Sequence, residues 1–327
     1  MIVAIPDDYH KVVPTLECMA RLTGHTVRVL HDVAPGTERL VGQLRDADVV
    51  VPIRERTRFT RSIIERLPRL KLFSQTGRSV HHIDVAACTE RGVLVATGKS
   101  DSVFTVSEHT WSLILSSVRR TPEETALMKR GGLRTSFGSL LHGRTLGIFG
   151  LGKIGRLVAA TGASFGMRVL AYGREATAAA ARAAGYDVAA AKQQLFEQSD
   201  VLCMLLRLSD ATRGIVTADD LGRMKPSALF VNTARAALVA PGALVEALRK
   251  GRPGFAAVDV YENEPVVDGD HPLLKMDNVL CTPHSAWLVR DTYELYFGEA
   301  FDNIVAFDEG KPFLNLANPE AVKRKLA

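Results

Sequence analysis

The sequence predicts an α/β protein built from two doubly wound parallel-sheet domains, and three observations carry that prediction. At 327 residues the chain exceeds what one hydrophobic core usually serves, so two domains of ordinary size are expected. Short β-branched or apolar runs alternate with amphipathic segments along most of its length, as parallel strands with helices on both faces require. Near the middle, GRTLGIFGLGKIG at 143–155 joins a strand to a helix through glycines at 150, 152 and 155.

The first domain opens with a strand at 2–5, ended by Pro6 and two aspartates. A helical stretch around 15–23 follows. Strands at 25–30, 48–53, 70–75 and 93–96 then alternate with helices at 37–44, 60–67 and 85–91. SEHTWSLILSSVRR at 107–120 reads as a long helix with Leu113, Ile114, Leu115 and Val118 on its buried side, placed between domains or at a dimer contact. The glycine-rich break GGLRTSFGSLLHG at 131–143 leads into a second series. Its strands are expected at 146–149, 168–172, 201–206, 229–232, 256–260 and 279–281, with helices including 176–184 and 242–250. That alternation is the two-half Rossmann pattern. Segment 291–307 is amphipathic again and is expected to return to the first domain.

The strand–turn–helix context gives the central GxGxxG a mechanical meaning. Gly150 permits the sharp turn, Gly152 lets backbone approach a pyrophosphate, and Gly155 lets the helix sit close to the strand. The N–H groups of Lys153 and Ile154 then face the phosphates from the positive end of the helix dipole.

Composition narrows the class. With 46% hydrophobic and 24% charged residues the chain is globular rather than disordered. The formal charge of +5 suits an anionic substrate or cofactor, but Lys and Arg are scattered without a basic block, which argues against nucleic acid. Cys18, Cys88, Cys203 and Cys281 show no CxxC pairing, each sits in an apolar stretch, and they read as reduced structural thiols. The opening MIVAIPDD enters a strand without a basic leader, and no apolar run is long enough to span a membrane. A cytoplasmic protein is expected.

Three residues follow late strands on the side where ligands of open α/β sheets bind. Arg235 follows LFVNTA, Glu264 follows AAVDVYEN and His284 follows VLCTPH. An arginine pairs a carboxylate in bidentate fashion and polarises a neighbouring carbonyl. A histidine moves the proton on a hydroxyl oxygen during hydride transfer, and a carboxylate beside it orients the ring and favours its charged form. Together these are what reduction of a 2-oxo acid needs.

VNTARAALV at 231–239, DVYENEP at 259–265 and TPH at 282–284, downstream of GLGKIG, resemble the D-isomer-specific 2-hydroxyacid dehydrogenase family. The resemblance covers essentially the whole chain, including SQTGRSVHHID at 74–84. It implies a flavodoxin-like substrate domain at 1–101 and 286–327 around a Rossmann dinucleotide-binding domain at 102–285. In that comparison Arg235 is the substrate-binding arginine, His284 the acid/base and Glu264 its carboxylate partner. Thr233 falls on the cofactor side, and Asp259 matches the residue that holds the nicotinamide amide. Arg78 and Ser79 supply backbone amides for the substrate carboxylate, and Arg54 either faces the same cleft or is an ordinary surface arginine. The sequence ends soon after Lys323, so the regulatory extension of some phosphoglycerate dehydrogenases is expected to be missing. Two departures stand out: Ala236 where the family often has glycine, and Trp287 in place of a small-residue loop after His284. An exposed indole there would shape substrate choice or pack against a partner subunit.

The strand after the glycine turn bears on the cofactor. An acid about 20 residues beyond the glycines normally binds the ribose 2′-hydroxyl of NAD. This chain instead reads Ala171, Tyr172, Gly173, Arg174, which favours NADP because Arg174 can meet a 2′-phosphate. Arg207, expected at the end of the fourth Rossmann strand, can approach the same end, while Glu175 is the acid NAD would need if the turn shifts. The expected protein is an NAD(P)-dependent oxidoreductase of small 2-hydroxy or 2-oxo acids, without metal, and a homodimer. A cofactor-sensing, corepressor-like interaction protein on the same fold is the rival reading. Formate oxidation is disfavoured because the similar formate enzymes carry an amide where Glu264 stands; phosphite oxidation stays open.

Overall fold

The computed structural model describes residues 1–32, 36–101, 103–133, 137–266 and 269–325. The chain divides into two compact units, one of Met1–Ser102 with Leu288–Ala327 and one of Val103–Trp287.

In the first unit β1 (Ile2–Ile5), β2 (Thr26–Val29), β3 (Val49–Val50), β4 (Leu72–Gln75) and β5 (Leu94–Thr97) pair in parallel in the order β2-β1-β3-β4-β5. This is the flavodoxin-like order, which reverses direction between β1 and β3. Every residue of β3, β4 and β5 is buried, so these strands read as unbroken apolar runs rather than alternating ones. Helix Arg290–Asp308 buries Tyr293, Tyr296, Phe297, Ala300, Phe301 and Ile304, an i, i+3, i+4, i+7 stripe. Ser74 in β4 donates to the Ala300 carbonyl at 2.7 Å and ties this late helix to the sheet.

Two expected elements come out differently. The stretch 15–23 is not an α-helix but two 3₁₀ segments, Val13–Thr15 and Glu17–Leu22. Glu294 accepts the Glu17 and Cys18 N–H groups at 2.7 and 3.1 Å, which holds the start of the second segment from outside. The strand at 48–53 keeps only two ladder residues, since Pro52 has no N–H to extend the pairing.

The second unit contains β6 (Thr145–Phe149), β7 (Arg168–Tyr172), β8 (Asp187–Val188), β9 (Val201–Met204), β10 (Leu229–Asn232), β11 (Phe255–Val258) and β12 (Val279–Cys281). All pairs are parallel, in the order β12-β11-β10-β9-β6-β7-β8. The first six reproduce the Rossmann order, with its switch point between β6 and β9. Two-residue β8 was not expected, because so short a strand leaves no periodicity to read. β9 stops at Met204 instead of running to 206: Leu205 donates to Phe149, the last residue of β6, at 3.0 Å, and β6 turns away beyond it. Arg207 is therefore not at a strand end but on an exposed loop.

The long helix runs Val103–Arg119, ends at left-handed Arg120 (φ 52°) and is followed by a second helix, Thr121–Lys129. Leu113 and Ile114 are buried as expected, and Trp111 joins them, its Nε1 donating to the Val158 carbonyl at 3.2 Å. Leu115 is 37% exposed, against expectation, because the helix turns it off the buried stripe. Of the break at 131–143, residues 134–136 lie outside the described residues. Among the described residues no helix is long and apolar enough to cross a membrane.

Candidate active site

At the glycine turn each glycine meets a different physical demand. Gly150 has φ 99°, and a Cβ there would lie 2.9 Å from Leu206 and 3.1 Å from the Leu205 carbonyl oxygen. Gly155 lies so close under β6 that a Cβ would come 2.3 Å from the Gly150 carbonyl oxygen. A Cβ on Gly152, by contrast, would meet nothing within 4 Å, and its φ of −78° is open to any residue. The fold does not need glycine at 152, which leaves open space in front of the helix start. Helix Lys153–Ser164 starts there, with its first N–H groups unpaired within the helix, as phosphate binding requires. These residues therefore fit a dinucleotide: Gly152, Lys153, Ile154 and Gly155 would hold its pyrophosphate.

Past the end of β7, Gly173 leads to exposed Arg174, which precedes helix Glu175–Ala183. Glu175 is turned to Arg182, Oε1 to Nη1 at 3.2 Å. No ion pair involves Arg174 among the described residues. Arg207 is held through its backbone, its carbonyl accepting from Thr212 Oγ1 at 2.8 Å.

Around the ends of β10, β11 and β12 the second unit brings Glu264 and His284 together. His284 Nδ1 lies 2.5 Å from Glu264 Oε2, while Glu264 Oε1 accepts the Tyr261 N–H at 2.8 Å. An ionised carboxylate only accepts, so Nδ1 carries the proton and Nε2 is left for chemistry. His284 is itself left-handed, φ 53°, a conformation rare for a residue with a side chain and one that persists only where its surroundings impose it. Arg235 is half-buried just beyond β10, with Nη1 donating to the Ala234 carbonyl at 2.7 Å. Asn232 braces that turn, donating to the Arg235 carbonyl and accepting the Ala234 N–H, both at 3.1 Å. Buried Thr233 lies 2.8 Å from Thr110 Oγ1. Thr110 already donates to the Val106 carbonyl, so Thr233 is the donor.

Asp259 is fully buried, and its two oxygens accept from Thr282 Oγ1 (2.6 Å), Ser285 N (2.8 Å) and Ala286 N (2.9 Å). Burial alone would raise its carboxyl, but hydrogen bonds from His109, Thr282, Ser285 and Ala286 outweigh it and hold the group below the usual carboxylate range. Asp259 thus grips the loop bearing His284, a role the sequence reading did not assign. Trp287 is 8% exposed and is not the exposed indole expected; a large amphipathic ring gains most by burying its apolar body.

In the first unit Arg54 is not a surface arginine: its side chain is 18% exposed. Its guanidinium lies 5.1 Å from the centre of the Tyr296 ring, and its backbone N–H donates to Thr76 Oγ1 at 2.8 Å. A Cβ on Gly77, whose φ is 89°, would come 2.1 Å from Arg54 Nη1. Arg54 therefore borders the turn that continues into Arg78 and Ser79. The Arg78 side chain points toward Asp101 (3.4 Å) and Ser79 Oγ lies 2.6 Å from His81 Nδ1, so both side chains are engaged locally.

A seven-stranded Rossmann sheet with a fitted phosphate cradle and a preformed histidine–carboxylate pair defines the class: a nicotinamide-dependent oxidoreductase fold. The comparisons make the family explicit. Residues 111–286 match the model of the D-isomer specific 2-hydroxyacid dehydrogenase, NAD binding domain. The chain is 36% identical over 298 residues to the glyoxylate reductase of Aeropyrum pernix, covering 88% of each. It is 38% identical over 257 residues to the D-3-phosphoglycerate dehydrogenase of Methanocaldococcus jannaschii, covering 77% of this chain and 48% of that one. This chain thus spans about half the length of that relative. The phosphoglycerate oxidoreductase structure from Vibrio cholerae superposes with a TM-score of 0.91 at 45% identity, covering 95% of this chain and 99% of that one. The chain belongs to the D-isomer-specific 2-hydroxyacid dehydrogenase family.

Proposed function

We propose that this protein transfers a hydride between a nicotinamide dinucleotide and C2 of a small D-2-hydroxy or 2-oxo acid. The observation that carries this reading is the 2.5 Å contact of Glu264 with His284 Nδ1, which fixes the ring with Nε2 available. A bound reduced nicotinamide supplies the hydride. His284 Nε2 gives a proton to the oxygen on C2 as negative charge develops there, and takes it back in the oxidative direction. Glu264 keeps the ring in one tautomer. Arg235 pairs with the substrate carboxylate. Arg54 and the backbone amides of Arg78 and Ser79 are the substrate-binding candidates of the first unit. Thr233 and Asp259 serve the nicotinamide end.

NADP is the favoured cofactor, since Arg174 stands past β7 where an acid would select NAD, and Glu175 is paired with Arg182. Arg207 serves the same adenosine end. Glyoxylate and other small 2-oxo acids are the substrates suggested by the relatives' names, and the dehydrogenase reading outranks a cofactor sensor because the acid/base pair is already assembled. The assignment includes a cytoplasmic homodimer.

The deciding experiment follows absorbance of the reduced nicotinamide with glyoxylate, hydroxypyruvate, pyruvate and bulkier 2-oxo acids, each with NADH and NADPH. His284→Ala should lower kcat by about 10²- to 10⁴-fold while nucleotide affinity, read by fluorescence, stays near wild type. Full turnover in that variant on the best substrate would overturn the assignment. Tight nucleotide binding by the wild-type protein without turnover on any acid would favour the sensor instead.

A further inference from the structure

Helix Val103–Arg119 carries one polar side chain that its packing role does not explain. His109 is part-buried on a helix that buries Trp111, Leu113 and Ile114, and its own side chain is 20% exposed. Its Nε2 lies 3.1 Å from Thr282 Oγ1 and 3.3 Å from Asp259 Oδ1. Thr282 has one hydroxyl proton, and the 2.6 Å contact with Asp259 Oδ1 uses it. His109 Nε2 must therefore be the donor, its hydrogen shared between the threonine oxygen and the carboxylate.

That bond reaches the reacting residue through a short path. Asp259 accepts the N–H groups of Ser285 and Ala286, the two residues after His284, and Thr282 lies two residues before it. The Thr282 carbonyl accepts the His284 N–H at 3.0 Å and the Tyr261 hydroxyl at 3.0 Å. Left-handed His284 is thus pinned on both sides, by groups that converge on one buried carboxylate and one threonine. Backbone carbonyls of Asn232 and Val258 accept from Asp259 N and Thr282 N, and among the described residues His109 is the side chain that enters this cluster from outside the 259–286 segment.

We infer that His109 is a positioning residue for hydride transfer: with Asp259 and Thr282 it sets the backbone that aims His284 Nε2. The inference rests on the reading of His284 as acid/base. His109 touches neither substrate nor the reacting atoms. It works by donating one hydrogen bond that keeps a buried carboxylate and a strained loop in register, and a displacement of about 1 Å there is enough to cost up to 100-fold in rate.

Leucine at 109 keeps the packing and removes the donor, whereas glutamine places an amide N–H near the position of Nε2. With glyoxylate and NADPH, His109→Leu should lower kcat about 10- to 100-fold while KM and nucleotide affinity change by less than about threefold. His109→Gln should recover most of kcat. In the nucleotide-free protein, hydrogen exchange at Ser285 and Ala286 should quicken in the leucine variant and return toward wild type in the glutamine variant. Unchanged kcat in His109→Leu, unchanged exchange at 285–286, or equal losses in both variants would each overturn the inference. If His109→Leu does not fold, Thr282→Val with Thr282→Ser as its rescue makes the same test. His284→Ala in the same assay separates the levels: if it keeps turnover the acid/base reading has failed, and if it collapses while His109→Leu does not, only the role of His109 falls.

Discussion

Arg174 and Glu175 are adjacent in sequence and carry opposite implications for the cofactor. In the structure Glu175 lies 3.2 Å from Arg182, both side chains being largely exposed, and Arg174 is exposed past β7. Replacing Arg174 by Ser should lower the NADPH-to-NADH ratio of kcat/KM about 10- to 100-fold, as expected for losing one charge-assisted phosphate contact. Equal ratios before and after would remove Arg174 from phosphate recognition. His82 gives a second residue-scale prediction. It is 5% exposed, neither ring nitrogen has a hydrogen-bond partner among the described residues, and burial pushes it down to about 4. Its neutral form is thus favoured by folding, so the stability it contributes is whole above the unfolded value of 6.5. That stability is lost as pH falls from 6.5 toward 4, by an amount of order 3 kcal/mol. His82→Phe should flatten the fall in thermal midpoint across that interval; an unchanged slope would assign the acid sensitivity elsewhere. The residues that follow strands within recognisable motifs, Arg235, Glu264 and His284, were legible because strand ends are where such sheets place ligands. His109 was not, because on a helix with a core-facing stripe one histidine gives no periodic signal.

The glycine turn shows how one motif can hold different constraints. Gly152→Ala should leave the thermal midpoint nearly unchanged, since its Cβ meets no protein atom, yet weaken nucleotide affinity at least about tenfold by crowding the phosphate approach. Gly155→Ala forces a methyl to within 2.3 Å of a backbone oxygen and should destabilise the unit by about 1–3 kcal/mol. Equal effects of the two changes on stability would contradict this division. Strand positions came out close to the sequence reading because buried parallel strands are short apolar runs bounded by turns. Their ends did not, as β9 shows: a ladder ends where the neighbour's backbone leaves, and no local sequence records that.

For the whole molecule, association is the next question. Met128, Leu133, Phe137 and Leu140 are 79%, 87%, 93% and 71% exposed, an apolar surplus concentrated in 128–140 of the second unit. Such a surface fits the proposed homodimer. Phe137→Glu with Leu140→Glu should convert a dimer to a monomer in sedimentation, and a wild-type protein that sediments as a monomer would refute the proposal. The sequence by itself determined the two α/β halves and the glycine turn, and proposed Arg235, Glu264 and His284 as candidates, because hydrophobic period, glycine spacing and residues at strand ends are local properties. Only the tertiary structure decided that a Cβ at Gly152 would meet open space while one at Gly155 would meet the Gly150 carbonyl, that Arg54 is half-buried, and that Asp259, Thr282 and His109 converge on the loop of His284. Those facts depend on distances between segments up to about 170 residues apart in the chain, set by sheet order and helix packing.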